Sequence, residues 1–304
     1  MVPRLGRQDV LPCAGRARGV LSLRGWVSER HSGRTGKHND TGTGSTDDIG
    51  KQAALDLASA GARVLLRGRN RAKDEVTRAA IAQATGNDNL GLYVADFVSL
   101  AQVRRLAEEV QANEKRLDVL INNAGVFQRR RELTEDGFEE TFAVNCLVPF
   151  LLTNLLLGLL ERSAPARVVT VSSGMHYSAR LDWGNLQGER DYDVFAAYSL
   201  SKLGDVLFTL EPVERLAASR VTANAMEPGV NRTNLLRAGW GGGGSTDARV
   251  GGRRLAHVAR TPELAGVSGK YFARDLPVSP SPLAEDPAVR KRFWDLCARL
   301  TGLL

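Results

Sequence analysis

The chain has 304 residues, of which 43% are hydrophobic and 25% charged, a composition typical of a globular protein with a sizeable core. Its three cysteines lie far apart, which argues against a disulfide framework or a structural zinc site and favours a reducing compartment. The longest near-apolar stretch, residues 147–160, is interrupted by Pro149, Thr153 and Asn154. We therefore predict no transmembrane segment.

Positive charge is concentrated at the start of the chain. Residues 1–40 hold eight basic and three acidic side chains, whereas the remaining residues hold 33 basic and 31 acidic ones. Trp26 is the single aromatic residue among these arginines, and they lack the set of aromatic side chains needed for base stacking. We therefore predict no nucleic-acid partner. We interpret residues 1–40 as a basic, disordered arm, with a mitochondrial presequence as the alternative. The protein is expected to be intracellular, either cytoplasmic or peripheral to a membrane.

Beyond about residue 44, short apolar runs alternate with amphipathic helical patterns. This alternation is typical of a parallel sheet covered by helices on both faces, and right-handed crossovers make such a sheet doubly wound. We predict one Rossmann-type α/β domain over residues 41–304. In chain order the pattern indicates helix 51–61, strand 64–66, helix 71–84, strand 90–94, helix 100–112, strand 119–121, helix 134–160, strand 168–171, helix 195–218 and strand 221–226. Residues 230–261 include four consecutive glycines and many arginines, so we expect a flexible, shortened substrate loop there.

Several short motifs lie where these strands end or helices begin. They are TGSTDDIG at 43–50, NNAG at 122–125, Asn145 within FAVNCLVPF, SS at 172–173, YSLSK at 198–202 and PG at 228–229. Their order and spacing resemble the short-chain dehydrogenase/reductase family over about residues 43–304. The amino-acid sequences of segments 166–187, 201–209 and 261–272 are similar to those of the retinol-dehydrogenase-like branch of that family.

The resemblance implies a catalytic set of Asn145, Ser173, Tyr198 and Lys202. Tyr198 and Lys202 are four residues apart, so they share one helix face. An ammonium group and an oxidised nicotinamide beside a phenol favour the phenolate, which lets Tyr198 take a proton from an alcohol or return one to a carbonyl. By the resemblance, Ser173 binds the substrate oxygen and Asn145 holds a water that links Lys202 to solvent.

The resemblance also implies a dinucleotide cofactor. Arg67 and Arg69 follow the second strand with no acidic residue beside them, and Arg69 matches the family position that binds a 2′-phosphate. NADP(H) is therefore preferred, with NAD(H) as the alternative. Asp96 matches an adenine-contacting acid, and a helix cap is its alternative role. No metal is expected. The other cofactor-binding residues that the match implies are Thr43, Gly44, Ser45, Asp48, Ile49, Gly50, Asn123, Ala124, Gly125, Tyr198, Lys202, Pro228, Gly229 and Thr233.

Three features depart from the family pattern. Residues 36–42, directly before the cofactor motif, include no large apolar side chain, so the first strand is missing, badly formed or replaced by upstream residues. Asp48 stands where the family has glycine, and its charge opposes a diphosphate by about 1–4 kcal/mol per charge pair. Pro212 falls inside the helix predicted at 195–218 and should kink it.

We therefore predict an oxidoreductase that transfers a hydride between NADP(H) and a small-molecule alcohol or carbonyl, lipid-like and of the retinoid or polyprenol class. The alternative is a catalytically weak or inactive family member that acts as a binding or scaffold protein because its cofactor loop is altered. Relatives often pair through the helices at 134–160 and 195–218, so a homodimer is also expected.

Overall fold

A mostly parallel sheet forms the centre of the molecule. The computed structural model describes residues 20–23, 49–212 and 216–304. The strands of this sheet are β1 Val20–Leu23, β2 Val64–Gly68, β3 Leu90–Val94, β4 Val119–Asn122, β5 Ala166–Val171, β6 Val221–Glu227, β9 Tyr271–Ala273 and β10 Leu276–Val278, while β7 Asn231–Arg232 and β8 Thr246–Asp247 form a separate pair. Among the described residues, the eight strands of the sheet lie in the order β10-β9-β6-β5-β4-β1-β2-β3, and only the β9–β10 pair is antiparallel. This order confirms the predicted doubly wound fold.

The first strand comes from upstream of its predicted place. Val20–Leu23 pairs in parallel with β2 on one side and with β4 on the other. A central strand of a parallel sheet is buried on both faces and needs apolar residues, which residues 36–42 lack. Of the three alternatives, replacement by upstream residues is therefore the one found, and these four residues belong to the sheet instead of an arm. The other residues of 1–40 lie outside the described residues, and so do the predictions of a disordered arm or a mitochondrial presequence made for them.

Helices cover both faces of the sheet. The helices are α1 Ile49–Ser59, α2 Arg71–Thr85, α3 Leu100–Asn113, α4 Glu140–Arg162, α5 Val194–Leu210, α6 Asn234–Trp240, α7 Ala248–Arg260, α8 Pro282–Glu285 and α9 Pro287–Leu300. One face of the sheet packs against α1, α2 and α7, and the other against α3, α4 and α5, with α9 lying outside α4 and α5. Asn70 caps α2 and Ser99 caps α3 by accepting backbone N–H groups.

Helix α4 begins later than the predicted helix 134–160. Residues 134–139 form a turn instead, in which the Thr134 hydroxyl accepts the Phe138 N–H at 3.2 Å. Among the described residues α4 alone is long and apolar enough to cross a membrane, but 72% of its most apolar window is buried inside the fold. We therefore interpret α4 as a core helix.

The helix that carries the YSLSK motif is shorter than predicted. It ends at Leu210, two residues before Pro212. A proline lacks the N–H that an α-helix needs and disfavours helical backbone in the residue before it. Pro212 therefore does not kink this helix, as we had expected, but lies beyond its end.

The segment predicted as a flexible loop, 230–261, is largely helical and contains α6 and α7. Helix α7 packs on α1 through Gly252, where an added Cβ would lie 2.4 Å from the Gln52 Cβ. A larger residue could not approach so closely. The four consecutive glycines, residues 241–244, lie between α6 and α7, so the prediction of a loop was wrong for residues 234–240 and 248–260.

Helix α9 covers the outer side of α4 and α5. Trp294 packs edge-on against Phe150 of α4 with ring centroids 4.8 Å apart, and Phe293 meets Phe142 at 6.3 Å. Phe293 is completely buried, and burying one such side chain contributes about 1.5–3 kcal/mol. The C-terminal helix therefore supports α5, the helix that carries Tyr198.

Candidate active site

The predicted catalytic residues meet at the carboxyl end of β5. Ser173 follows this strand, and its hydroxyl accepts the Met175 N–H at 3.3 Å at the start of a short 3₁₀ turn. The same side chain forms a hydrogen bond with the Tyr198 phenol. The structure thus brings Ser173 and Tyr198 together, as the sequence predicts.

Tyr198 and Lys202 lie on the inner face of α5. Asp193 caps this helix by accepting the Ala196 N–H at 2.7 Å. The Lys202 Nζ lies 5.9 Å from the centroid of the Tyr198 ring, and the two side chains are only 4% and 6% exposed. The ammonium and the phenol therefore share a buried site in which charge interactions are weakly screened.

Two groups hold the Lys202 ammonium. Its Nζ donates to the Val171 carbonyl at 2.9 Å and to the Asp205 carboxylate at 2.7 Å. Burial lowers the pKa of Lys202, but the charge of Asp205 and the hydrogen bond to it outweigh burial, so the pKa is raised above its ordinary value. Lys202 is consequently charged at neutral pH and has one further N–H to donate.

The pKa of Tyr198 is raised, not lowered as the sequence analysis expected. Burial is the largest cause; Lys202 and the Ser173 hydrogen bond lower the pKa, whereas the charge of Asp205 raises it. The predicted effect of Lys202 is therefore present but outweighed. Without a further positive charge, Tyr198 is a neutral phenol at neutral pH.

Asn145 lies in a π-helical turn of α4, Ala143–Leu147. Such turns often occur at functional sites, and Pro149, four residues on, has no N–H to complete the usual α-helical bond. The Asn145 side chain accepts the Val126 N–H at 2.7 Å and donates to the Val126 carbonyl and the Ser201 hydroxyl, both at 3.0 Å. The amide therefore fastens the loop after β4 to α5.

Gly125, in the loop that follows β4, lies beside the Lys202 ammonium. A Cβ added to Gly125 would lie 3.9 Å from the Lys202 Nζ and 3.6 Å from both the Asn145 Oδ1 and the Leu235 Cδ1. Lys202 is 4% exposed, and a ribose hydroxyl is a suitable acceptor for its remaining N–H. In its donor chemistry Lys202 therefore fits the ribose of a dinucleotide.

The two arginines at the end of β2, Arg67 within the strand and Arg69 after it, differ in role. Arg67 is 5% exposed, donates to the Ala95 carbonyl and lies 3.3 Å from the centroid of the Phe97 ring. Burial lowers its pKa to about 9. Arg67 therefore joins β2 to the loop after β3, whereas Arg69 is only half-buried and is accessible to a ligand.

An acidic side chain that the sequence analysis missed lies at the end of β2. The Asp74 carboxylate reaches back from α2 over Gly68 and accepts the Asn70 N–H at 3.1 Å. Asp96 is half-buried, and its carboxylate accepts the Val98 N–H at 3.3 Å. Asp96 thus closes a turn, while the cap of α3 is Ser99.

The other predicted cofactor residues surround this end of the sheet. Ile49 and Gly50 begin α1, Asn123 and Ala124 follow β4, and Pro228 and Gly229 follow β6. Thr233 caps α6 by accepting the Leu236 N–H at 3.2 Å. Thr43, Gly44, Ser45 and Asp48 lie outside the described residues.

Comparisons with known proteins agree with this geometry. A model of the short chain dehydrogenase family matches residues 42–240. The chain belongs to this family. Retinol dehydrogenase 13 from Homo sapiens is 41% identical over 276 residues, which cover 86% of this chain and 83% of that protein. Polyprenol dehydrogenase from Homo sapiens is 37% identical over 280 residues, with coverage of 86% and 84%.

Solved structures show the same fold. A crystal structure of an uncharacterised protein from Mycobacterium Paratuberculosis has a TM-score of 0.71 and 31% identity, with 94% of each chain covered. A short chain dehydrogenase from Escherichia coli CFT073 complexed with NADPH has a TM-score of 0.63 at 21% identity, with 87% of this chain and 100% of that chain covered. These matches confirm the predicted family, its retinol-dehydrogenase-like branch, and a dehydrogenase that acts on CH–OH groups with NAD(P) as the family's cofactor.

Sequence reasoning did not find the aromatic cluster beside Tyr198, which consists of Phe127, Phe195 and Trp240. Trp240 ends α6, and its ring centroid lies 5.0 Å from that of Phe127, 5.4 Å from that of Phe195 and 5.7 Å from that of Tyr198. Phe195 and Trp240 are 39% and 38% exposed. An apolar, partly open wall thus adjoins the phenol.

His176 positions Ser173 and was left out of the predicted site. Its ring is fully buried, with Nδ1 donating to the Ser173 carbonyl at 2.8 Å and Nε2 accepting the Ser281 N–H at 3.1 Å. This arrangement requires a neutral ring with its proton on Nδ1. Burial lowers the pKa of His176, while the bond to Ser173 raises it slightly. His176 therefore connects the catalytic serine to the segment before α8.

A positively charged cleft of about 580 Å³ lies between α1 and the α6–α7 segment. Asp247 forms an ion pair with Arg249 at 3.0 Å, and Thr233 lies on the wall of the cleft. The charge suits an anionic group such as a phosphate. The basic side chains that line it are Lys51, Arg232, Arg237 and Arg249.

Proposed function

We propose that the protein is an NADP(H)-dependent oxidoreductase that interconverts a lipid-like alcohol of the retinoid or polyprenol class with its carbonyl compound. The observation that carries this proposal is the buried Tyr198 phenol, hydrogen-bonded to Ser173, beside the Lys202 ammonium and under an aromatic wall. Apolar ligands favour such walls. The names of relatives, retinol dehydrogenase and polyprenol dehydrogenase, support the substrate class.

The preference for NADP(H) is argued from the end of β2. Arg69 is half-buried there, and a guanidinium can bind a 2′-phosphate through two parallel hydrogen bonds. Asp74, the acidic side chain nearby, already accepts the Asn70 N–H. The positive charge of the cleft beside Thr233 supports a phosphate-rich cofactor in the same way.

Four side chains have separate roles in the proposed reaction. Ser173 and Tyr198 are placed to hydrogen-bond the substrate oxygen, and Tyr198 gives that oxygen a proton in reduction or takes one in oxidation. Lys202 holds the cofactor ribose and stabilises the phenolate that reduction leaves. Asn145 fixes α5 through Ser201, whose hydroxyl donates to the Tyr198 carbonyl at 2.8 Å. We propose that the backbone carbonyl of Asn145 holds the relay water. NADP(H), when bound, supplies or accepts the hydride.

The test uses the purified full chain with NADPH and, separately, a retinoid aldehyde and a polyprenal. We expect NADPH oxidation with at least one of them. Tyr198→Phe should lower kcat by at least about a hundredfold. Tyr177→Phe is the matched control, because this tyrosine is 49% exposed and donates to the Ser279 carbonyl instead. Equal losses in both variants, or wild-type rates in Tyr198→Phe, would contradict the assignment.

The alternative, a weakly active or inactive binding protein, is favoured by one observation. Between β1 and α1 the chain runs through 25 residues, and Asp48 stands directly before α1. An acidic charge there opposes a diphosphate. Titration of NADPH fluorescence separates the two functions: micromolar binding supports the oxidoreductase, whereas none at millimolar cofactor supports the scaffold. Asp48→Gly should tighten binding by at least about tenfold if its charge is responsible.

A homodimer remains a proposal. Helix α9 already packs on the outer side of α4 and α5, with Trp294 against Phe150. We therefore infer that two copies, where they pair, use another surface than the predicted one. Sedimentation of the full chain measures the oligomeric state directly.

A further inference from the structure

A buried carboxylate that the reaction described above does not use contacts the catalytic lysine. Asp205 lies one turn beyond Lys202 on α5 and is 1% exposed. Its Oδ2 lies 2.7 Å from the Lys202 Nζ, while its Oδ1, also buried, makes no hydrogen bond with any described residue. The carboxylate therefore has the lysine ammonium as its partner.

Stability does not account for this arrangement. Removing two charges from water costs several kcal/mol, and a pair of apolar residues in the same space is often as stable or more so. The unpaired Oδ1 adds to the cost of the carboxylate. The effect of Asp205 is better sought in the charge that it places within reach of Tyr198.

The groups that face Asp205 are few. On α5 they are Lys202 and Tyr198, and from α4 the Cys146 thiol lies close enough to interact with the carboxylate. Cys146 is in turn hydrogen-bonded to Cys297 of α9, and burial raises the pKa of the Cys146 thiol well above its ordinary value, so this thiol adds no charge at neutral pH. Burial also raises the pKa of Asp205 to about 7, against the charge of Lys202. Above that pH the charged carboxylate is the main form.

We infer that Asp205 is a positioning residue that fixes the Lys202 ammonium and, through its own negative charge, disfavours the Tyr198 phenolate. Two of the three Lys202 N–H groups are bound, to Asp205 and Val171, and these two bonds fix the direction of the third. The protonated phenol is the form that gives a proton to a carbonyl oxygen, so the charge of Asp205 supports that step. This inference rests on the proposed function.

The experiment compares Asp205→Asn and Asp205→Ser, which remove the charge, with Asp205→Glu, which keeps it. Profiles of kcat/KM against pH are measured for reduction with NADPH. Without the negative charge the phenolate is less disfavoured, so we expect the alkaline limb to move to lower pH by about one pH unit in both neutral variants. Asp205→Glu should restore most of the wild-type profile. The matched control is Thr209→Val, a buried position one turn further along α5, which should leave the profile in place.

A second measurement needs no cofactor. The ultraviolet absorbance of tyrosinate is titrated in the apoprotein, and the curve of Tyr198→Phe is subtracted to isolate Tyr198. The midpoint should fall in Asp205→Asn and Asp205→Ser and stay in Thr209→Val. An unmoved midpoint in folded neutral variants overturns the inference, even if the wild type reduces carbonyls. Conversely, a wild type that binds no NADPH overturns the proposed function, while this titration still decides the role of Asp205.

Discussion

The three hydrogen bonds of Asn145 make a quantitative prediction. Asn145→Ala removes the partner of the Val126 N–H, the partner of the Val126 carbonyl and one partner of the Ser201 hydroxyl. Val126 is only 6% exposed, so water cannot readily replace the lost partner. Each buried polar group left without a partner costs about 1–3 kcal/mol. Two backbone groups therefore give a loss of about 2–6 kcal/mol in the free energy of unfolding, against a total of about 5–15 kcal/mol for a typical domain.

The assay is urea unfolding followed by far-ultraviolet circular dichroism. Asn154→Ala on the same helix is the control, because this amide is half-buried and donates to the Phe150 carbonyl at 2.8 Å. We expect the control to lose less than about 1 kcal/mol. A comparable small loss in Asn145→Ala would show that the Asn145 amide does not fasten the loop after β4, and would refute the reasoning.

Three further outcomes are expected. Arg69→Ala should weaken NADPH binding by about tenfold while NADH binding stays unchanged, measured by fluorescence titration; equal losses would exclude a 2′-phosphate contact. Trp240→Ala should raise KM for an apolar substrate by about tenfold without changing the Kd of NADPH, because it removes stacking against two phenylalanines. Burial lowers the pKa of His176 in the folded state, so the unfolded state binds more protons and stability should decline as the pH falls below about 6.5. Urea titrations of His176→Gln should show a smaller decline, whereas those of His257→Gln should match the wild type.

Much of the fold could be predicted because its signals are local. The boundaries of β3 and the start of α2 match the pattern, since apolar alternation and the Asn70 cap lie in the residues concerned. Tyr198 and Lys202 could be paired from their spacing alone, because four residues always bring side chains together on a helix. Ser173 was added to them through the resemblance to the family.

What could not be predicted depends on contacts between distant segments. The pattern gives Val20–Leu23 no preference over any other short apolar run, and only pairing with β2 and β4 makes it a strand. Trp240 lies 42 positions beyond Tyr198 in the chain, so nothing local indicates that their rings meet. Asp205 lies three residues from Lys202 on the same helix, but nothing local indicates that both side chains are buried.

The close packing of α7 on α1 has a mechanical consequence. Gly252 leaves no gap against Gln52, and the apolar side chains of both helices share one core cluster. Helix α7 follows α6 after residues 241–247, and Trp240, the last residue of α6, packs against the Tyr198 ring, while α1 begins at the cofactor motif. The contact between α1 and α7 therefore links the cofactor end of the site to the substrate side, with the glycine-rich residues 241–244 between α7 and Trp240.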